Sequence, residues 1–270
     1  VGLNLALVAG FILAGRVMFM STTVLNVRDL SYSYHSLKGE TPALSHITFS
    51  VKEGEFVAIV GPSGCGKSTL LSLIAGLLSP EDGLIEKGNS RIGYMLQHDH
   101  LLEWRTIYQN VCLGLEINHC RTLENLEYID ALLREYDLEL FRDKYPSELS
   151  GGMKQRAALI RTMALKPDLL LLDEPFSALD YQTRLQVSGD ICEKIRQAGK
   201  TAILITHDLS EAISLADRIL VLTKRPATIL DDIPVSLTVK EPGSLAARQA
   251  PEYGNYFDKL WKELNDGTRF

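Results

Sequence analysis

Phe56-Val57-Ala58-Ile59-Val60-Gly61-Pro62-Ser63-Gly64-Cys65-Gly66-Lys67-Ser68 decides the fold of this chain. The first five residues form a short, continuous apolar run, the profile of a strand buried on both faces. The next eight fit the pattern G-x-x-x-x-G-K-[ST]. A helical pattern follows from Thr69 to Leu77. Strand, glycine-rich loop and helix in that order build a cradle for phosphate. The loop glycines leave backbone N–H groups open toward phosphate oxygens, and the helix start adds the positive end of its dipole. Gly61, Pro62, Ser63, Gly64, Cys65, Gly66, Lys67, Ser68 and Thr69 are therefore the expected nucleotide contacts. Lys67 is expected to neutralise the β and γ phosphates, and Ser68 to ligate Mg²⁺.

Outward from this stretch, Leu169 to Leu172, Ala202 to Ile205 and Ile219 to Leu222 have the same fully buried strand profile. Helical patterns lie between several of them, among them Ser68 to Leu77 and Thr183 to Gln197. Strands alternating with helices imply an α/β domain with a mostly parallel sheet covered on both faces. Val24 to Leu30 alternates as a half-buried strand does, and Ile47 to Val51 precedes the turn Lys52-Glu53-Gly54-Glu55. The segment 99–165 breaks the alternation. It is rich in helical patterns (Glu124 to Glu135, Lys154 to Leu165) and reads as an inserted helical lobe. After Pro234 the chain is loop-like. Tyr256, Phe257, Leu260, Trp261 and Leu264 then share one helical face, expected to pack on the body of the domain.

Two further elements carry chemistry. Leu169-Leu170-Leu171-Leu172-Asp173-Glu174 is a buried strand ending in two carboxylates. Beside a phosphate loop, Asp173 would hold Mg²⁺, directly or through water, and Glu174 would polarise an attacking water in line with the γ phosphate. Gln97 follows the strand-like Ile92-Gly93-Tyr94-Met95, where its amide can touch Mg²⁺ or water. His207 follows the strand Ala202 to Ile205, at the sheet edge where ligands gather, and is expected to contact the γ phosphate. Far from these, Leu149-Ser150-Gly151-Gly152-Met153-Lys154-Gln155-Arg156 offers a hydroxyl and open N–H groups at a helix start, a second anion-binding arrangement. A chain with one phosphate loop and a second, distant anion site either binds two anions or shares its nucleotide with another copy of itself. His98-Asp99-His100 puts two imidazoles on one side of an extended segment, with no third metal ligand evident.

The 270 residues suffice for one large domain with a lobe. With a net charge of -6, nothing global in the composition points to nucleic acid or an anionic membrane surface. Cys65, Cys112, Cys120 and Cys192 lack metal-ligand spacing and read as reduced thiols. Residues 1–20 are almost wholly apolar, yet too short for a comfortable membrane span and without a basic leading region. Position 1 is Val, while Met18 and Met20 stand directly before the polar Ser21-Thr22-Thr23. Residues 1–20 are expected to be an extension from a mis-assigned start, with an N-terminal anchor as the alternative.

In order and spacing, these elements resemble the ATP-binding cassette (ABC) family over about residues 23 to 230. The resemblance implies a P-loop NTPase fold with an N-terminal antiparallel β subdomain and an inserted α-helical subdomain. Residues 21–235 would be the ATPase domain, with the helical subdomain at about 99–165 and a C-terminal tail at 236–270. Residue by residue, Tyr34 in Leu30-Ser31-Tyr32-Ser33-Tyr34 looks like the aromatic that stacks on adenine, with Tyr32 as the alternative. Gly61 to Thr69 looks like Walker A, Gln97 like the Q-loop glutamine, Leu149 to Arg156 like the signature, and Leu169 to Glu174 like Walker B. Ser177-Ala178-Leu179-Asp180 resembles the D-loop, and His207 the switch histidine. The family's signature contacts the γ phosphate of ATP held by the opposite subunit, which gives Ser150, Gly151 and Gly152 their implied role, and the resemblance makes Asp180 of the D-loop a further nucleotide-binding residue.

Leu101-Leu102-Glu103-Trp104-Arg105-Thr106 is similar to a stretch of the importer ATPases for nitrate, sulfonates and taurine, with Glu103 where Pro is usual. The implied protein is the ATPase of an importer for a small solute, peripheral on the cytoplasmic face of the cell membrane. It would bind ATP and Mg²⁺, pair with a second ATPase subunit as a homodimer, drive transmembrane permease subunits, and depend indirectly on an extracytoplasmic solute-binding protein. An exporter-type ATPase and a single cassette of the iron–sulfur assembly type are the alternatives.

Overall fold

A computed structural model describes residues 22–37, 39–177, 179–239 and 244–266. The apolar residues 1–20 lie outside the described residues, as does Ala178 of the Ser177 to Asp180 stretch.

Two sheets form the frame. The smaller joins β1 (Thr23–Ser36), β2 (Gly39–Lys52) and β4 (Asp82–Glu86) in the order β2-β1-β4, all antiparallel. The larger adds β3 (Phe56–Val60), β5 (Ile92–Met95), β6 (Leu169–Asp173), β7 (Thr201–Ile205), β8 (Arg218–Leu222) and β9 (Ile229–Pro234) in the order β5-β6-β7-β3-β8-β9. Its first five strands are parallel, and only β9 returns antiparallel to β8.

The apolar five-residue runs are central because every residue of β3, β6 and β7 is buried. Side chains alternate across a strand, so one run serves two cores. Phe56, Ala58, Val60, Leu170 and Leu172 face a core built largely from helices. Val57, Ile59, Leu169 and Leu171 face the opposite way, onto the small sheet and α1 (Lys67–Ala75). The parallel sheet is thus the middle layer, which is why these strands lack polar alternation.

Both hairpin strands run longer than their alternation suggests. Register shifts between Leu30 and Tyr32 and between Tyr32 and Ser33 change which residues face inward, so the period-two pattern fades after Leu30 although pairing continues to Ser36. Gly83 sits where β4 meets β1. Its φ is +88°, and a Cβ there would lie 2.4 Å from the Asp29 carbonyl oxygen. Gly83→Ala is expected to lower stability by about 2 kcal/mol or more, read as a lower urea midpoint.

Between β5 and β6 lie α2 (Ile107–Val111), α3 (Leu113–Ile117), α4 (Leu123–Glu135) and α5 (Gly151–Met163). Thr106 and Gln109 form a capping box at α2, and Thr122 caps α4. Buried Asn110 fixes the segment before them. Its Oδ1 accepts from Leu102 N at 2.7 Å, and its Nδ2 donates to the carbonyls of Leu102, Arg105 and Thr106. The stretch 102–106 is thereby held in one shape while Trp104 remains 74% exposed.

The remaining helices are α6 (Tyr181–Gln197), α7 (Leu209–Leu215), α8 (Ser244–Ala247) and α9 (Tyr253–Asp266). Leu260 of α9 is fully buried, and Tyr256, Phe257 and Leu264 pack beside it. Trp261 differs from the packing expected of it. It is 58% exposed and stacks on Phe257, ring centroids 6.2 Å apart. No described helix is long and apolar enough to cross a membrane.

Candidate functional site

Register gathers the candidate residues. β6 and β7 are neighbours with Asp173 opposite Ile205, so Glu174 and Thr206-His207 leave the sheet side by side. β3 lies against β7 with Ile59 opposite Ile205, so the Gly61 loop emerges at the same edge. β5 lies on the far side of β6 with Met95 opposite Leu172, which brings Gln97 beside Glu174. Four strands thus deliver four chemistries to the carboxyl edge of one parallel sheet, where ligands settle in such folds.

The phosphate loop is tightly backed. Gly66 has φ +122°, and a Cβ there would lie 3.0 Å from Leu44 Cδ2 and 3.1 Å from the Ala43 carbonyl oxygen. Only glycine suits both the angle and the space. The following helix, α1, has no side-chain N-cap, so its first N–H groups remain open to an anion. Lys67 is 7% exposed; its Nζ donates to the carbonyls of Gly61 at 2.8 Å and Pro62 at 3.0 Å. The ammonium is stored across the mouth of its own loop and can exchange two carbonyls for phosphate oxygens. Cys65 is buried beneath the loop, and burial pushes its thiol above the ordinary range, so it is a packing residue rather than a nucleophile.

Ser68 Oγ donates to Asp173 Oδ1 at 3.1 Å, and Tyr94 donates to Asp173 Oδ2 at 3.3 Å. Burial pushes the Asp173 carboxyl up, against the hydrogen bonds from Ser68 and Tyr94. The Tyr94 hydroxyl is pushed up to about 12, by burial and then by the charge of Asp173. A buried carboxylate beside a hydroxyl is a hard oxygen donor pair, which fits Mg²⁺ rather than a softer metal. A cation there would also relieve the desolvation of Asp173.

Glu174 is the hub. One of its oxygens, Oε2, accepts from Gln97 Nε2 at 3.3 Å and lies 3.1 Å from His207 Nδ1. Its backbone sits at φ 44°, rare for a residue with a side chain, and is held there by Glu174 N donating to the Ile205 carbonyl at 2.9 Å. His207 is set by its flanks. Thr206 is buried and donates to Glu211 at 2.6 Å, while Asp208 caps α7.

Tyr34, Ser63, Gly64, Gly66, Lys67, Ser68, Thr69, Glu174 and Arg225 line one cleft of about 350 Å³. Tyr34 reaches it through a 3.0 Å hydrogen bond between its hydroxyl and Thr69 Oγ1, whereas Tyr32 stands behind, edge-on to the Tyr34 ring at 5.1 Å. Three residues join the site beyond those expected to line it: Tyr94, which lies within a strand pattern, and Arg184 and Arg225, whose sequence surroundings resemble the family without marking a role for either side chain. Arg184 donates to the Leu179 carbonyl at 2.9 Å and lies 3.9 Å from Asp208, so it ties the Ser177 to Asp180 turn to the base of α7.

None of the described residues lining this cleft comes from the 149–156 stretch. Ser150 is the N-cap of α5, its Oγ accepting from Met153 N at 3.4 Å, and it is exposed together with Gly151. A Cβ on Gly151 would lie 3.2 Å from Leu179 Cδ2, and one on Gly152 would lie 3.2 Å from Val187 Cγ2. Both glycines let this helix start press against the Asp180 turn and α6. Asp180 caps α6 by accepting from Thr183 N at 3.1 Å, a bond that holds its carboxyl below the usual range. The helix start at 150–152 is therefore capped and solvent-facing, away from the residues that line the cleft.

His98 and His100 lie edge to face at 5.8 Å, and no group of three potential metal ligands occurs among the described residues.

Lys67→Ala is expected to weaken ATP binding about 10- to 100-fold, the worth of charge-assisted hydrogen bonds to phosphate. Titration with a fluorescent ATP analogue reads this out; unchanged affinity would contradict the placement of phosphate on this loop.

Comparison with known proteins gives a consistent picture. A family model described as "ABC transporter" matches residues 44–177. An uncharacterized ABC transporter ATP-binding protein, YtlC of Bacillus subtilis, is 46% identical over 250 residues, covering 89% of this chain and 95% of its own length. The nitrate import ATP-binding protein NrtD of Synechocystis is 38% identical over 247 residues, 87% of this chain and 93% of its own. Among solved structures, a dimeric post-hydrolysis state of the ATP-binding cassette MJ0796 bound to ADP and Pi superposes with TM-score 0.68 at 29% identity, over 78% of this chain and 99% of that one.

Proposed function

The chain belongs to the ABC transporter ATP-binding proteins, and on that premise we propose that it powers an importer for a small solute such as nitrate, a sulfonate, taurine or a related compound. The observation that carries the catalytic half is the convergence of Lys67, Ser68, Asp173, Glu174, Gln97 and His207 on one sheet edge, with Tyr34 beside them. The importer half is supported by the name of the NrtD relative and by the exposed Trp104 within a rigid 102–106 segment.

In this reading Tyr34 stacks on adenine and the N–H groups from Gly61 to Thr69 wrap the phosphates. Lys67 leaves the carbonyls of Gly61 and Pro62 for the β and γ phosphates. Ser68, Asp173 and Gln97 would hold Mg²⁺, which would supply positive charge against the phosphate oxygens. Glu174 takes a proton from the attacking water, in line with the γ phosphate. Gln97 and His207, both already on Glu174 Oε2, orient that carboxylate, and His207 contacts the γ phosphate.

A second copy of the chain completes each site. Ser150, Gly151 and Gly152 of one copy close on the γ phosphate held by the other, with the Asp180 turn at the seam. Closure moves the helical subdomain, about 99–165 within an ATPase domain of 21–235, against transmembrane permease subunits. The chain then sits peripherally on the cytoplasmic face of the membrane, and an extracytoplasmic solute-binding protein delivers the solute.

The test is affinity purification of the tagged chain from detergent-solubilised membranes. Co-purification of a polytopic permease encoded beside a solute-binding protein is expected. Recovery with iron–sulfur assembly proteins, or with an export permease, would replace the importer reading.

A further inference from the structure

The cleft holds one cation that the nucleotide chemistry above does not use. Arg225 lines it, and its guanidinium carbon lies 5.9 Å from the centroid of the Tyr34 ring, over the ring face. No ion pair ties Arg225 to a carboxylate among the described residues, and its side chain is exposed.

Its backbone, by contrast, is fixed relative to the phosphate loop. Ala227 N donates to the Ala43 carbonyl at 2.9 Å, and Ser45 N donates to the Ala227 carbonyl at 2.9 Å, a short parallel bridge onto β2. Thr228 N donates to Thr223 Oγ1 at 2.9 Å and closes the turn that carries Arg225. Ala43 and Leu44, on the same stretch of β2, are the atoms against which Gly66 packs. One strand therefore positions both the phosphate loop and the Arg225 turn.

Tyr34 is equally constrained, by its hydroxyl on Thr69 and its edge contact with Tyr32. A guanidinium in direct contact with an aromatic ring lies about 3.5–4 Å away, and a planar base held between two such faces needs walls about 7 Å apart. At 5.9 Å from the centroid the guanidinium already lies within cation–π reach of the Tyr34 ring, and an entering base needs the exposed Arg225 side chain to move outward by only about 1 Å.

We propose that Arg225 is the second wall of the base site: the purine of ATP stacks with one face on Tyr34 and with the other on the Arg225 guanidinium. This rests on the nucleotide-site reading given above. The planar, delocalised guanidinium suits a π face in a way a lysine ammonium does not. The residue would set affinity for the base and leave the triphosphate untouched.

Calorimetric titration of the full chain, wild type, Arg225→Ala and Arg225→Lys, with ATP and separately with inorganic tripolyphosphate, tests this. Arg225→Ala is expected to weaken ATP about three- to tenfold while tripolyphosphate binds as before, and Arg225→Lys to lie nearer Ala than wild type. Unchanged ATP affinity in Arg225→Ala would overturn the proposal. So would an equal loss for ATP and tripolyphosphate, which would make Arg225 a phosphate ligand, or full restoration by lysine. Wild-type protein that binds tripolyphosphate and ATP alike at some other site, insensitive to Lys67→Ala, would instead remove the nucleotide-site reading.

Discussion

Glu174→Gln is expected to bind ATP as the wild type does and to hydrolyse it about 10²- to 10⁴-fold more slowly, the usual worth of a positioned general base. The substitution keeps the size of the side chain and both neighbours, since an amide oxygen still accepts from Gln97 and His207 can still donate to it. What it removes is the ability to take a proton. Nothing that holds the nucleotide changes, because Lys67, Ser68, Asp173 and Tyr34 are untouched. Binding without turnover should therefore leave two copies closed around ATP, and size-exclusion chromatography with ATP should show a dimer that the wild type forms only transiently. Turnover within a few-fold of wild type would show that Glu174 is not the base.

Ser150→Arg is expected to lower ATPase activity about 10²-fold or more, comparable with removing a donor from a preorganised anion site, while ATP affinity stays near wild type. The combination is diagnostic. Ser150 lies outside the cleft that Lys67, Tyr34 and Thr69 line, so a change there has no route to nucleotide affinity within one chain. The N-cap bond to Met153 is lost at a cost of roughly 0.5–2 kcal/mol, which a domain of this size withstands. Gly151 and Gly152 press against Leu179 and Val187, so the helix start has little freedom to shift and accommodate a longer side chain. In the wild type, activity per chain should rise with protein concentration, because the productive state is a dimer. In the variant it should stay flat.

Much of the catalytic edge is legible in the sequence because each piece is local. A short run of buried residues followed by glycine or polar residues is a strand ending at a sheet edge. Parallel pairing then forces Gly61, Glu174 and His207 together. The signature stretch is legible for the same reason, a cap and two glycines at a helix start. What escapes are features set by distant contacts or broken periods. Arg225 is brought to the cleft by the bridge between Leu44 and Ala227, and Lys224-Arg225-Pro226, though it resembles the family, does not by itself place the side chain at the base. The hairpin β1–β2 outruns its alternation because register shifts reverse the inward face near Tyr32. Trp261 shares a helical stripe with Leu260, but it lies one step round the helix and stacks outward on Phe257 instead of entering the core.

If each hydrolytic site is assembled from two chains, as proposed, mixing two inactive variants restores activity. Purified Lys67→Ala and Ser150→Arg chains, each inactive alone, are combined in equal amounts and assayed for ATPase activity. In a head-to-tail dimer, the mixed pair contains one site that is damaged twice and one that is wholly intact. The mixture is expected to regain about a quarter of wild-type activity if chains pair at random and sites act independently. A mixture as inactive as its components, at concentrations where the wild type is fully active, would contradict that assembly.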